Sequence, residues 1–121
     1  MRNSLLIFLF LITFCKAFAI PDYFTEKADQ IPNICQSCFA DIIQWGGRPH
    51  CAPAAVSNSL VWLSKNGFES LQPFHSDDSQ KDQARLVDLL GQTMKTTENA
   101  GTSPFKVLSG LKEYLESKKA L

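Results

Sequence analysis

The stretch that most constrains the fold is a helical run that begins just after residue 51. Three apolar residues recur there at helical spacing: Val56, Leu60 and Leu63. Two more, Val61 and Trp62, widen the apolar stripe. This pattern predicts an amphipathic helix over residues 52–65. Pro53 suits its first turn, where a missing N–H costs no hydrogen bond, and Gly67 suits the position after its end. Because the apolar stripe is wide, we expect this helix to be central.

A second helix is predicted over residues 80–93. Asp77, Asp78 or Ser79 can cap its start, because a short polar side chain can accept hydrogen bonds from the first free N–H groups. Its expected apolar side carries Leu86, Leu89, Leu90 and Met94.

A third helix is predicted to begin at Pro104, after the capping residue Ser103. Its expected apolar positions are Phe105, Leu108, Leu111 and Leu115. We expect the large aromatic residues to be mostly core: Trp45, Trp62, Phe68, Phe74 and Phe105. Alternating patterns typical of strands are nearly absent, so the sequence predicts a mainly α chain with about three helices.

The N-terminus has the pattern of a secretory signal peptide. Arg2 and Lys16 flank the apolar run LLIFLFLITF, and the small residues AFA at 17–19 suit a signal-peptidase site. The run is shorter than the roughly 20 residues that a membrane span needs. We therefore expect cleavage after residue 19, a secreted or periplasmic mature chain, and no membrane association after cleavage.

The charge balance points away from nucleic acid. The whole sequence has 12 basic and 12 acidic residues, and loss of Arg2 and Lys16 with the signal leaves a slight acidic excess. No basic cluster or cationic amphipathic helix stands out, so neither nucleic acid nor a membrane surface is an expected partner. We also expect no cofactor and no metal.

Cys15 would leave with the signal, so three cysteines remain: Cys35, Cys38 and Cys51. An odd number in an exported chain leaves one thiol over or joins two chains. A local Cys35–Cys38 disulfide is one expectation, and a bond from either residue to Cys51 is the other. A zinc site from these three and His50 is disfavoured, because adjacent ligands at 50 and 51 suit a tetrahedral site poorly.

Cys51 has the sequence context of a nucleophile. It stands at the predicted start of the first helix, where free N–H groups and the helix dipole favour a thiolate. Small residues follow it, which would keep the thiol approachable: Ala52, Ala54 and Ala55. An acyl-transfer site also needs oxyanion donors. The N–H of Cys51 and the amide of Gln44, seven residues upstream, are candidates.

The segment QWGGRPHCAPAAVSNSLVWL resembles the nucleophile region of papain-like cysteine peptidases, and in particular the double-glycine (bacteriocin-processing) branch. The family pattern is a glutamine, a short loop and Cys-x-Pro at the start of a long helix. Here these are Gln44, Cys51 and Pro53, with Ala52 where glycine is usual. The segment GTSPFKVLSGLKEYL at 101–115 also resembles a second block of such relatives.

The resemblance implies the helical N-terminal half of a papain-like α+β fold. It implies a partial peptidase-like domain over 44–121, preceded by a lead-in over 20–43 that carries the CxxC pair. Cys51 would be the nucleophile for hydrolysis of a peptide or protein amide bond, and Gln44 would belong to the oxyanion hole. The family's histidine lies later, on a strand, whereas this chain has only His50 and His75. We therefore expect a truncated domain that lacks its catalytic base.

The alternative hypothesis is a small secreted, non-enzymatic helical binding protein with a CxxC disulfide. In that case Cys51 would be only a small buried residue at a helix start, since free cysteine is among the most buried residue types. Gln44 would be an ordinary loop amide.

Overall fold

The computed structural model describes residues 30–119. The predicted signal peptide, residues 1–19, and the first part of the lead-in lie outside the described residues. Within these residues there are three α-helices: α1 (Cys51–Lys65), α2 (Ser79–Thr93) and α3 (Pro104–Lys119). Residues 30–119 contain no strand, only an isolated bridge between Thr97 and Gly101. The prediction of a mainly α chain with three helices is confirmed.

Local sequence signals set the helix ends. The Asp78 carboxylate accepts the N–H groups of Gln80 and Lys81 at 3.2 and 3.1 Å, so it is the cap among the three predicted candidates. The Ser103 hydroxyl accepts the Lys106 N–H at 3.4 Å at the start of α3. No helix within residues 30–119 is long and apolar enough to cross a membrane.

The core is centred on α2 rather than on α1. Leu86, Val87, Leu90 and Met94 have no exposed surface, and α2 packs against both α1 and α3. The expectation that the first helix is central was wrong. Of the two residues that widened its apolar stripe, Val61 is buried but Trp62 is only partly buried.

Two clusters of buried side chains hold the helices together. The larger one joins all three helices through Leu60, Val61, Leu86, Leu90, Met94 and Tyr114. The smaller one brings Ile43 of the lead-in against Ala54, Ala84 and Val87, with Phe39 packed beside it. The Tyr114 hydroxyl donates a 2.7 Å hydrogen bond to the carbonyl of Leu71, in the short 3-10 turn Glu69–Leu71.

The apolar face of α3 is rotated from the predicted one. Phe105 is 80% exposed and Leu108 is 70% exposed, and Phe68 is also exposed. The buried positions are Gly110 and Tyr114, because Gly110 lets the α3 backbone approach Met94 closely. The predicted positions Leu111 and Leu115 are partly buried against the core, so the pattern was wrong for Phe105 and Leu108. It also missed Gly110, because an apolar periodicity gives no weight to a glycine.

Candidate functional site

The loop before α1 turns sharply and presents the start of that helix. Its 3-10 turn, Gln44–Gly47, contains left-handed backbone at Trp45 (φ 53°), Gly46 (φ 66°) and Gly47 (φ 75°). The N–H of Gln44 donates to the Asp88 carboxylate of α2 at 2.8 Å. The loop is therefore anchored to α2 at its first residue.

His50 precedes α1 and points into the protein. Its carbonyl accepts the Ala54 N–H at 2.9 Å, while its side chain is 1% exposed. The ring packs on α2, where a Cβ built on Gly91 would lie 2.5 Å from Nε2. The ring of Trp45 lies 5.9 Å away, centroid to centroid. His50 thus fixes the loop onto α2, and its Nδ1 has no hydrogen-bond partner among the described residues.

Cys51 is the first residue of α1, and its thiol is free and exposed. The N–H groups of Cys51 and Ala52 donate to no other described residue, and Pro53 has no N–H. Two unsatisfied donors and the positive end of the helix dipole therefore lie beside the thiol. This arrangement suits a carbonyl oxygen that becomes negative when a nucleophile attacks it.

Gln44 and Cys51 lie at the two ends of the same loop. Gln44 is exposed, and its hydrogen bond within the described region is the backbone one to Asp88. No hydrogen bond joins its amide to Cys51. The assignment of Gln44 to an oxyanion hole therefore stays a prediction.

Neither histidine is a base for Cys51 in this structure. The His50 ring is buried against Gly91. His75 is exposed and lies near Asp82, beside the C-terminal half of α1. At 1.5 Å per residue, Val61, the first α1 residue that lines a cleft together with His75, is about 15 Å along the helix from Cys51.

The other two cysteines form the local disulfide. The Sγ atoms of Cys35 and Cys38 are bonded, with their Cα atoms 5.3 Å apart. This leaves Cys51 as the free thiol of the described region. Residues 30–119 contain no group of three or more His, Cys, Asp and Glu side chains placed to hold a metal ion.

Sequence reasoning missed a large cleft beside the lead-in. It has a volume of about 980 Å³ and lies between residues 30–39, the end of α1 and a segment, 69–83, that runs into the first turns of α2. Neither Gln44 nor Cys51 lines it. The cleft combines three segments that are distant in sequence, and no motif marks any of them.

Burial lowers the pKa of His50 from its ordinary value of 6.5, and Asp88 opposes this shift. The unfolded chain therefore binds a proton at higher pH than the folded one. The contribution of His50 to the free energy of unfolding is therefore complete above about pH 6.5 and is lost as the pH drops below that value.

Urea unfolding from pH 8 to pH 5 should show this loss of stability. His50→Gln should flatten the profile in that window, whereas His75→Gln, at an exposed site, should keep it. An unchanged profile in His50→Gln would contradict the assignment.

Comparisons of the chain with family models, curated proteins and solved structures found no match.

Proposed function

We propose that Cys51 is the nucleophile of a papain-like thiol hydrolase that cleaves peptide or protein amide bonds. The observation that carries the proposal is the free, exposed thiol at the first residue of α1, next to two unsatisfied N–H groups. The other described cysteines are tied in a disulfide. The Cys-x-Pro segment with Gln44 upstream supports the family assignment.

In the proposed reaction the Cys51 thiolate attacks the amide carbonyl carbon. The carbonyl oxygen becomes negative and is held by the N–H groups of Cys51 and Ala52, with the Gln44 side chain as a further donor. The C–N bond breaks, the amine leaves with the proton that the Cys51 thiol gave to a general base, and a thioester remains on Cys51. Water then hydrolyses the thioester and frees the thiol.

The proposal needs a general base that residues 30–119 do not place beside Cys51. The His50 ring is buried against Gly91 of α2, and His75 lies near Asp82. The resemblance implies that a histidine on a β-sheet half has this role. General-base help is worth roughly 10²–10⁴-fold in rate, so we expect very slow peptide turnover by this chain alone.

We also propose that the protein is exported. The Cys35–Cys38 disulfide supports this, because disulfides persist mainly in oxidising compartments. The N-terminal apolar run with its small-residue site supports it too.

The first test is the rate at which iodoacetamide alkylates Cys51 at pH 7. The matched control is Ala55→Cys in a Cys51→Ser background, because residue 55 is exposed one turn further along the same helix. We expect Cys51 to react about tenfold faster, since reactive cysteines occur at partly exposed positions beside the positive end of a helix. Mass spectrometry of the same samples should show an intact Cys35–Cys38 bond and an N-terminus at Ile20.

Equal alkylation rates for the two thiols would contradict the proposal that Cys51 is a nucleophile. A faster rate for Cys51 with an unprocessed N-terminus would support Cys51 as the nucleophile but contradict the proposal that the protein is exported. The two parts of the proposal are therefore separable in one experiment.

A second candidate function, a non-enzymatic binding protein, is favoured by one observation. The 980 Å³ cleft lies away from Cys51 and is bounded in part by the disulfide. Such a protein would need neither a free thiol nor a histidine base.

A further inference from the structure

The cleft is held open by contacts that fix the lead-in. The Cys35–Cys38 disulfide lies in its wall. The Ile34 N–H donates to the Asn58 Oδ1 atom of α1 at 3.2 Å, and the Gln36 amide donates to the Arg48 carbonyl at 3.0 Å. Binding sites for small ligands are usually preformed in this way.

The lining is a mixture of apolar and amide side chains. The apolar members are Ile31, Ile34, Phe39, Val61 and Phe74. The amide members are Gln30, Asn33, Gln72, Gln80 and Gln83. An amide side chain offers one donor group and one acceptor, which are the two groups that each peptide bond presents. This composition matches a peptide with apolar side chains.

The charges of the lining exclude a strongly anionic ligand. Lys65 and His75 are its basic members, and they face three carboxylates: Glu69, Asp77 and Asp82. Phosphate groups are usually held by clustered Arg or Lys side chains. The lining therefore favours an uncharged segment over a nucleotide.

Gln72 is the one lining residue with an unsatisfied buried polar atom. The residue is 8% exposed, and its Oε1 has no hydrogen-bond partner within the described region. A buried acceptor left without a donor costs free energy. Because Oε1 makes no hydrogen bond, rotation of the Gln72 amide toward the cleft would break none at this atom. The rotation would place the Oε1 acceptor where a ligand N–H could donate to it.

We infer that this cleft binds a short peptide segment with an apolar side chain, whose backbone N–H donates to Gln72. This gives the second candidate function its ligand class, and it does not depend on the chemistry proposed for Cys51. The side chain would lie against Val61 and Phe74. The exposed amides of Gln30, Asn33 and Gln80 would meet its backbone groups, whereas the buried Gln83 amide already donates to Ser57 and Asn58.

The test is two-dimensional NMR of the ¹⁵N-labelled Cys51→Ser protein, titrated with a peptide pool. The pool contains acetylated, amidated hexapeptides with leucine fixed at the third position, and the control pool has aspartate there. We expect the leucine pool to shift the Gln72 side-chain amide and the backbone signals of residues 31–34. The aspartate pool should shift them less.

Gln72→Leu should weaken binding about three- to tenfold, the effect of one hydrogen bond. It should not lower the thermal midpoint, because Oε1 makes no hydrogen bond in the folded protein. Gln92→Leu is the matched control, since Gln92 is exposed and does not line the cleft. Its peptide affinity should equal that of the parent.

Absence of shifts at about 1 mM peptide would overturn the inference, as would unchanged affinity in Gln72→Leu. Shifts confined to residues 44–55 would also overturn it, and they would support a substrate site at Cys51 instead. If Gln72→Leu does not fold, the shift map of the parent still decides.

Discussion

Gly110→Ala is expected to lower the free energy of unfolding by about 2–3 kcal/mol, the upper part of the range for overpacking a core. A Cβ at this position would lie 2.5 Å from the Cα of Met94 and 2.7 Å from its N and Cγ. Two of those atoms are backbone, so a rotamer change cannot relieve the overlap. The gain in helix propensity, about 1 kcal/mol, is too small to offset it.

The measurement is thermal unfolding of Gly110→Ala beside Ser109→Ala, its neighbour on the exposed side of α3. A loss of this size should lower the midpoint of a domain of this length by roughly 8–20 °C. Ser109→Ala should change it by only a few degrees. A stabilised Gly110→Ala protein would show that α3 does not pack closely on the end of α2.

Gly47→Ala is expected to cost about 2–4 kcal/mol, from two separate causes. Gly47 has a φ of 75°, and an L-residue there costs roughly 1–2 kcal/mol. In addition, a Cβ would overlap the backbone carbonyl of Gln36, which would push the lead-in away from the loop. The second cause should also loosen the wall of the cleft.

Gly46→Ala separates the two causes. Gly46 has a similar φ of 66°, but a Cβ there would meet only the Ala40 Cβ at an ordinary 3.7 Å. It should therefore lose only the conformational part. Urea unfolding measures the stability of both variants, and hydrogen exchange over residues 30–43 measures the loosening. Equal losses in the two variants would contradict the close approach of Gln36 to Gly47.

The helices were predictable because their ends are encoded locally. The first was predicted over 52–65 and runs Cys51–Lys65, with a proline in its first turn and Asn66-Gly67 after its end. The cap of the second, Asp78, was among three adjacent candidates. Such signals involve side chains and N–H groups only two or three residues apart, so they do not depend on tertiary structure.

Tertiary placement was harder to predict. The orientation of α3 depends on a glycine, which a hydrophobic pattern ignores. The central role of α2 depends on its having two buried faces, one toward each neighbour. The same limit applies to the sites, because the exposure of Cys51 and the burial of its neighbour His50 are set by the tertiary fold. Gln72 shows no signal in the sequence, since its importance rests on an acceptor left unpaired by the fold.

The hydrogen bond from Tyr114 to Leu71 has a consequence for the motions of the protein. Burial raises the pKa of Tyr114 to about 12, so the phenol remains a donor at every physiological pH. Leu71 directly precedes Gln72, which lines the cleft. The hydrogen bond therefore connects the lining of the cleft to α3. We expect α3 and the turn at 69–71 to open together as one cooperative unit. A peptide held in the cleft would then slow the fraying of a helix that it does not touch.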